Sequence, residues 1–195
     1  MVSSITLKNL IIGYRSKHQL RAIASPVHAS LQAGELTCLI GANGVGKSTL
    51  LRTLAGFQPA LDGEILIQDK SLSDFSAQEL AREISIVLTS KTDHAQLSAE
   101  EIVGIGRSPY TGFWGTLSTA DKQIVASALQ ETGIQHLAQR NISELSDGER
   151  QKVMIAKALA QQTRIIILDE PTAFLDFPSK IETLQMLRRL ARSEE

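Results

Sequence analysis

The sequence predicts an α/β fold built around a parallel sheet, with an antiparallel β region at the N-terminal end and an inserted α-helical region. Three observations predict it. Strand-like and helix-like segments alternate along the 195 residues. A glycine-rich turn at residues 41–46 joins an apolar stretch to a helix-forming one. Near the other end, residues 163–168 (TRIIIL) hold four consecutive large aliphatic side chains, too continuous for a one-sided strand and suited to a central parallel strand covered on both faces.

The elements follow in order. Residues 5–7 and 36–40 are expected as strands, and residues 63–68 (GEILIQ) alternate apolar and polar as a half-buried strand does. Ser76 with Glu79, and Ser98 with Glu101, fit the S-x-x-E capping box, so helices should begin at both serines. Beyond Pro178, Ile181, Leu184, Leu187 and Leu190 recur at three-residue spacing and are expected to form one side of a final helix. The lone cysteine, Cys38, has no partner for a disulfide or a cysteine metal cluster and is expected as a small core residue.

Composition bounds the function. With 43% hydrophobic and 21% charged residues and a formal net charge of -1, the chain has an ordinary globular composition that gives no reason to expect nucleic acid as a partner. No apolar run approaches the roughly 20 residues that cross a bilayer, and residues 1–10 lack the basic start and apolar stretch of a secretory signal. A cytosolic protein is expected.

Residues 41–49 (GANGVGKST) satisfy the phosphate-loop pattern G-x-x-x-x-G-K-[ST] between an expected strand and a helix through residues 48–54. Gly41, Gly44 and Gly46 let the backbone curl so that successive N–H groups, with Asn43 in the same turn, face phosphate oxygens. Lys47 adds a positive charge, the Ser48 hydroxyl is a Mg²⁺ ligand candidate, and Thr49 supports the phosphates at the helix N-terminus. Chance would match the pattern in roughly one chain of this length in a hundred, before the strand and helix are required.

Residues 165–171 (IIILDEP) are a buried strand ending in two acids. Asp169 is placed to hold Mg²⁺ near the phosphates and Glu170 to polarise the attacking water as general base. The plainer reading is two solvated acids in a turn before Pro171.

Residues 145–151 (LSDGERQ) resemble the signature of the ABC ATPase family, whose commonest form is leucine, serine, two glycines and glutamine. Asp147 replaces the first glycine and Glu149 the glutamine, a variant like that of ATPases serving iron-chelate, haem and cobalamin importers. The resemblance covers nearly the whole chain. It implies a phosphate-loop NTPase core, residues 1–195 as a single domain truncated at the C-terminus, and a helical subdomain at roughly 91–160. It also implies ATP and Mg²⁺ as cofactors and a head-to-tail homodimer in which Ser146 and Gly148, at a helix N-terminus, cap the γ-phosphate held by the second copy. Ser146 with Glu149 is equally a capping box starting a helix over 149–161, and the two readings are compatible. Asp147 must turn its charge away from ATP or find a basic partner.

Several other positions take meaning from the resemblance. Tyr14 falls where the family stacks an aromatic on adenine; alone it would be a strand or turn aromatic. Asp176 falls in the loop that touches the partner ATPase, or else caps a helix before Pro178. Thr89 stands where the family has a glutamine. The family's switch histidine would lie past Glu195, and none of His18, His28, His94 and His136 stands in its place. On that ground the chain is expected to bind Mg-ATP and to hydrolyse it slowly. Residues 106–110 (GRSPY) resemble the same importer group, and Tyr110, Phe113 and Trp114 are either core aromatics or an interface for a membrane subunit.

The resemblance thus implies the ATP-binding subunit of an importer, peripheral on the cytoplasmic face of the membrane. Its partners would be a transmembrane permease, a second copy of itself and, indirectly, a solute-binding protein. The alternatives are a soluble ABC ATPase of translation or DNA maintenance, an exporter motor, and a domain that binds nucleotide without hydrolysing it.

Overall fold

The computed structural model describes residues 3–15, 19–88 and 96–192. They belong to two compact units, one drawn from residues 1–80 and 190–195, the other from residues 81–189.

In the first unit β1 (Ser3–Ile11) lies between β4 (Val27–Gln32) and β5 (Asp62–Ile67), antiparallel to both, and β5 pairs with β6 (Lys70–Ser71). Leu7 stands opposite Ala29 on one side and Ile65 on the other, and Ile5, Leu7, Leu10, Ile65 and Ile67 are buried. Here the expected strands at 5–7 and 63–68 are found, but the second buries Ile65, Leu66 and Ile67 in succession and does not alternate. A separate hairpin joins β2 (Gly13–Arg15) to β3 (Leu20–Ala22). The helix α1 (Lys47–Leu54) follows the glycine-rich turn, and α2 (Ala77–Glu83) starts from the expected Ser76–Glu79 capping box.

The second unit contains β7 (Ile84–Val87), parallel to β8 (Ile165–Leu168), and four helices: α3 (Ala99–Ile105), α4 (Thr119–Glu131), α5 (Asp147–Ala160) and α6 (Phe177–Arg192). Serine capping boxes start α3, α4 and α5 through Ser98–Glu101, Ser118–Asp121 and Ser146–Glu149. Ile102, Val103, Val125, Leu129 and Val153 meet in a continuous apolar core. No helix among the described residues is long and apolar enough to cross a membrane.

Three further expectations are corrected. Residues 36–40 form no strand, Ile40 is 91% exposed and Cys38 is exposed rather than in the core. An apolar run becomes a strand only beside a ladder partner, and among the described strands none pairs with it. Likewise β8 is parallel as expected but, among the described residues, has one ladder partner, β7. Ile167 is buried while Ile166 is exposed, the alternation of a strand covered on one face. On α6 the buried face is Thr183, Met186 and Leu187, with Ile181 and Leu184 exposed. The cause is geometric: three-residue steps of about 100° per residue fall short of a full turn by about 60°, so a strict three-residue series drifts off the buried face.

An ion pair ties the helices of the second unit together. Arg107, just past α3, donates through Nε to Asp121 Oδ1 at 2.8 Å in the first turn of α4, and through Nη1 to the Ala160 carbonyl at 2.9 Å and Gln162 Oε1 at 3.0 Å after α5. The other oxygen of Asp121 accepts from the Ser118 hydroxyl at 2.6 Å and the Ser118 amide at 3.0 Å. Hydrogen bonds from Ser118 and Arg107 hold this carboxyl at about 2, below its ordinary 3.8. A carboxyl depressed by folding stabilises the fold above its unfolded value and loses that contribution as pH falls through the folded one. The stability gap between the parent and Asp121→Asn should therefore be constant at neutral pH and close from about 4 to about 2. Thermal melts of both proteins across that window check it; a gap independent of pH would exclude the ionised pair.

Candidate functional site

The glycine-rich turn is shaped by two left-handed glycines, Gly44 at φ 79° and Gly46 at φ 106°. Gly46 is the N-cap of α1, and a Cβ there would stand 2.6 Å from Ile23 Cγ2. Backbone angle and space both demand glycine. The turn is otherwise exposed, Asn43 included, and Lys47 lies back across it, its Nζ donating to the carbonyls of Gly41 at 2.8 Å and Ala42 at 2.9 Å. Ser48 is half-buried and Thr49 buried in the first turn of α1. A curled backbone, a helix N-terminus and a cation thus lie within one short segment, a combination suited to an anion.

Tyr14 projects from β2 with its ring half-exposed, and its hydroxyl pairs with Thr49 Oγ1 at 3.1 Å. These two positions, 35 apart in sequence, are brought together directly.

The acids and the 145–151 segment lie in the second unit. Asp169 is buried at the end of β8, where its amide donates to the Val87 carbonyl at 2.9 Å. Glu170 is exposed and left-handed, with φ 49°, an uncommon conformation for a residue with a side chain. Its carbonyl accepts from the Ala173 amide, closing a tight turn.

Ser146 caps α5 as expected. Its hydroxyl donates to Glu149 Oε2 at 2.8 Å, and its amide donates to the same oxygen at 2.8 Å. Those two bonds hold the Glu149 carboxyl below the usual range, with smaller help from Arg140 and His136. The Glu149 amide in turn donates to Ser146 Oγ at 3.3 Å, so the backbone amides of Ser146 and Glu149 are both engaged and the capping box leaves fewer first-turn donors for an anion than the sequence suggests. The charge of Asp147 finds a basic partner one turn on, Arg150. Gly148 faces Ser179 of α6: a Cβ would lie 3.2 Å from its Oγ. Asp176 is a helix cap, its Oδ1 accepting from the Ser179 amide at 3.1 Å, and these bonds lower its carboxyl below the ordinary value.

Phe113 and Trp114 are 96% and 87% exposed and meet edge to face at 5.5 Å, so neither is a core aromatic. Tyr110 is packed differently, over the Arg107 guanidinium at 4.0 Å with Arg82 at 5.2 Å. Thr89, His18 and His94 lie outside the described residues. Sequence reasoning missed Arg107, Asp121, Thr53 and Gln58. Only Asp121 carried a signal, the spacing Ser118-x-x-Asp121.

The sequence profile of the ABC transporter family matches residues 24–173. An uncharacterized ABC transporter ATP-binding protein of Methanocaldococcus jannaschii is 40% identical over 184 residues, 94% of this chain and 62% of that protein. The iron(3+)-hydroxamate import ATP-binding protein of Bacillus subtilis is 36% identical over 193 residues, 99% of this chain and 70% of that protein. The chain thus spans about two thirds of the length of these relatives. A dimeric ATP-binding cassette in a post-hydrolysis state, bound to ADP and Pi, superposes with a TM-score of 0.81 at 26% identity, covering 97% of this chain and 84% of that one.

Gly46→Ala should lower stability by about 1–3 kcal/mol, because alanine is strained at this φ and its methyl displaces Ile23. Urea denaturation of the two proteins measures it.

Proposed function

Since the chain belongs to the ABC transporter family, we propose that it is the ATP-binding and ATP-hydrolysing subunit of a membrane importer for an iron-siderophore, haem or cobalamin. The observation that carries this reading is the phosphate loop: two left-handed glycines, a lysine folded across them and a helix N-terminus, in a chain 36% identical to an iron(3+)-hydroxamate import ATPase.

In this reading Gly41, Asn43, Gly44, Gly46 and Thr49 cradle the phosphates. Lys47 exchanges its two carbonyl partners for phosphate oxygens. Tyr14 stacks on adenine, for which a contribution of roughly 1–3 kcal/mol is typical of aromatic–base stacking. Donor chemistry at Ser48 and Asp169, an alcohol and a carboxylate, suits Mg²⁺, which prefers hard oxygens and shares its coordination with phosphates and water. When bound, Mg²⁺ would neutralise charge on the phosphate oxygens. Glu170, exposed on its left-handed turn, accepts the proton of the attacking water.

The second copy of the chain supplies Ser146 and Gly148, at the N-terminus of α5, to the nucleotide on this one; that a similar cassette bound to ADP and Pi is dimeric supports the pairing. A transmembrane permease holds the pair at the cytoplasmic face of the membrane, and a solute-binding protein delivers cargo to it from the other side. Phe113 and Trp114, exposed beside each other on the 106–117 loop, are the aromatic surface offered to the permease.

Lys47→Ala should fold and lose ATP affinity by about 10–100-fold, the usual worth of hydrogen bonds from a charged donor; titration with a fluorescent ATP analogue reads it, and unchanged affinity would remove the phosphate-loop assignment. Glu170→Gln should bind ATP like the parent, turn over about 10²–10⁴-fold more slowly, and abolish uptake of the chelate in cells. Undiminished turnover would strike Glu170 from the catalytic role.

A further inference from the structure

We propose that Gln58 is a positioning residue for recognition of the nucleotide base, clamping the strand that carries Tyr14 onto the phosphate-loop helix. The inference rests on the reading of Tyr14 as the ring that stacks on the base.

Gln58 lies on the connection between α1 and β5 and donates its side-chain amide in two directions. Nε2 reaches the Gly13 carbonyl at 3.4 Å and Thr53 Oγ1 at 3.1 Å. Thr53 is wholly buried on α1, and its hydroxyl donates onward to the Thr49 carbonyl at 2.8 Å. Thr49 Oγ1 meets the Tyr14 hydroxyl at 3.1 Å, and the peptide bond between Tyr14 and Gly13 closes the circuit. Tyr14 is thus held at both ends: its hydroxyl by the first turn of α1, and its backbone neighbour by Gln58.

The seat is tight on its other sides. A Cβ at Gly13 would come within 2.1 Å of the Arg21 carbonyl oxygen and 2.7 Å of Leu61 Cδ1. The Leu61 amide donates to the Ile11 carbonyl at 2.8 Å, and the Ile23 amide to the Ile12 carbonyl at 3.0 Å. A ring that keeps one pose before binding loses less conformational freedom when a base stacks on it. Gln58 also suits the place chemically. It offers two N–H donors to two oxygen acceptors and brings no charge close to a triphosphate.

The test pairs Gln58→Met, which keeps length and removes both donors, with two ligands, ATP and inorganic tripolyphosphate, in isothermal titration calorimetry. The dissociation constant for ATP should rise about 3–10-fold, the usual range for lost hydrogen bonds, while that for tripolyphosphate, which has no base, stays within error. In a Tyr14→Ala background Gln58→Met should cost no further ATP affinity, since the two act on one pose. Equal weakening of both ligands would make Gln58 a general support of the fold and overturn the proposal, as would an unchanged ATP affinity or penalties that multiply. If Tyr14→Ala itself leaves ATP binding unchanged, the base-stacking reading falls and the inference with it. If Tyr14→Ala weakens ATP and Gln58→Met does not, only the inference falls.

Discussion

The left-handed backbone of Gly46 is the constraint on which the first unit depends. At φ 106° it turns the phosphate loop directly into α1, and its missing side chain is the space into which Ile23 packs. One position therefore fixes both where the helix N-terminus points and how closely the β2–β3 hairpin approaches it. No hydrogen bond alone could hold that geometry, because net values near 1 kcal/mol are small beside the steric cost of a misplaced backbone.

Helix starts play the corresponding part in the second unit. Three serine boxes define the first turns of α3, α4 and α5, and each satisfies first-turn amides that have no partner within the helix itself. At α5 the same device has a second consequence. The box binds the Ser146 hydroxyl to Glu149 and the Asp147–Arg150 pair offsets the charge of the added acid, at a helix end whose dipole already favours both acids. Binding an anion there would mean re-aiming the serine hydroxyl from Glu149 to the ligand. The glutamate in place of the family's usual glutamine thus sets a competition at this helix end, since a carboxylate accepts more strongly than an amide oxygen.

Much of this was legible in the sequence where chemistry is local. Capping boxes and the curl of the glycine-rich turn depend on neighbours within a few positions and are found where the spacing puts them, whereas the strand at 62–67 buries Ile65, Leu66 and Ile67 in succession instead of alternating. Residues 36–40 and 163–168 illustrate the other case. Both are apolar enough to be buried strands, yet burial depends on partners distant in sequence that the run itself does not specify. The site divides in the same way. The curl of residues 41–49 could be read from its glycines, whereas the Tyr14–Thr49 contact and the Gln58 circuit span 35 and 45 positions. Residue types there, a tyrosine, two threonines and a glutamine, are common anywhere on a surface.

Arg107 shows why a cationic side chain can be worth burying in such a fold. The guanidinium is planar and divides its donors by direction: one edge reaches Asp121 and another reaches Ala160 and Gln162, while its face lies under Tyr110. It thus joins the end of α3, the start of α4 and the end of α5. A lysine would present a single point of charge with no flat face, and could serve one of these partners well but not all. The loop that follows Arg107 carries the exposed Phe113 and Trp114. Tyr110 packs on the Arg107 guanidinium and lies near that of Arg82, which also donates to the Pro109 carbonyl at 3.0 Å, so the start of that loop is held by two cations from separate parts of the sequence.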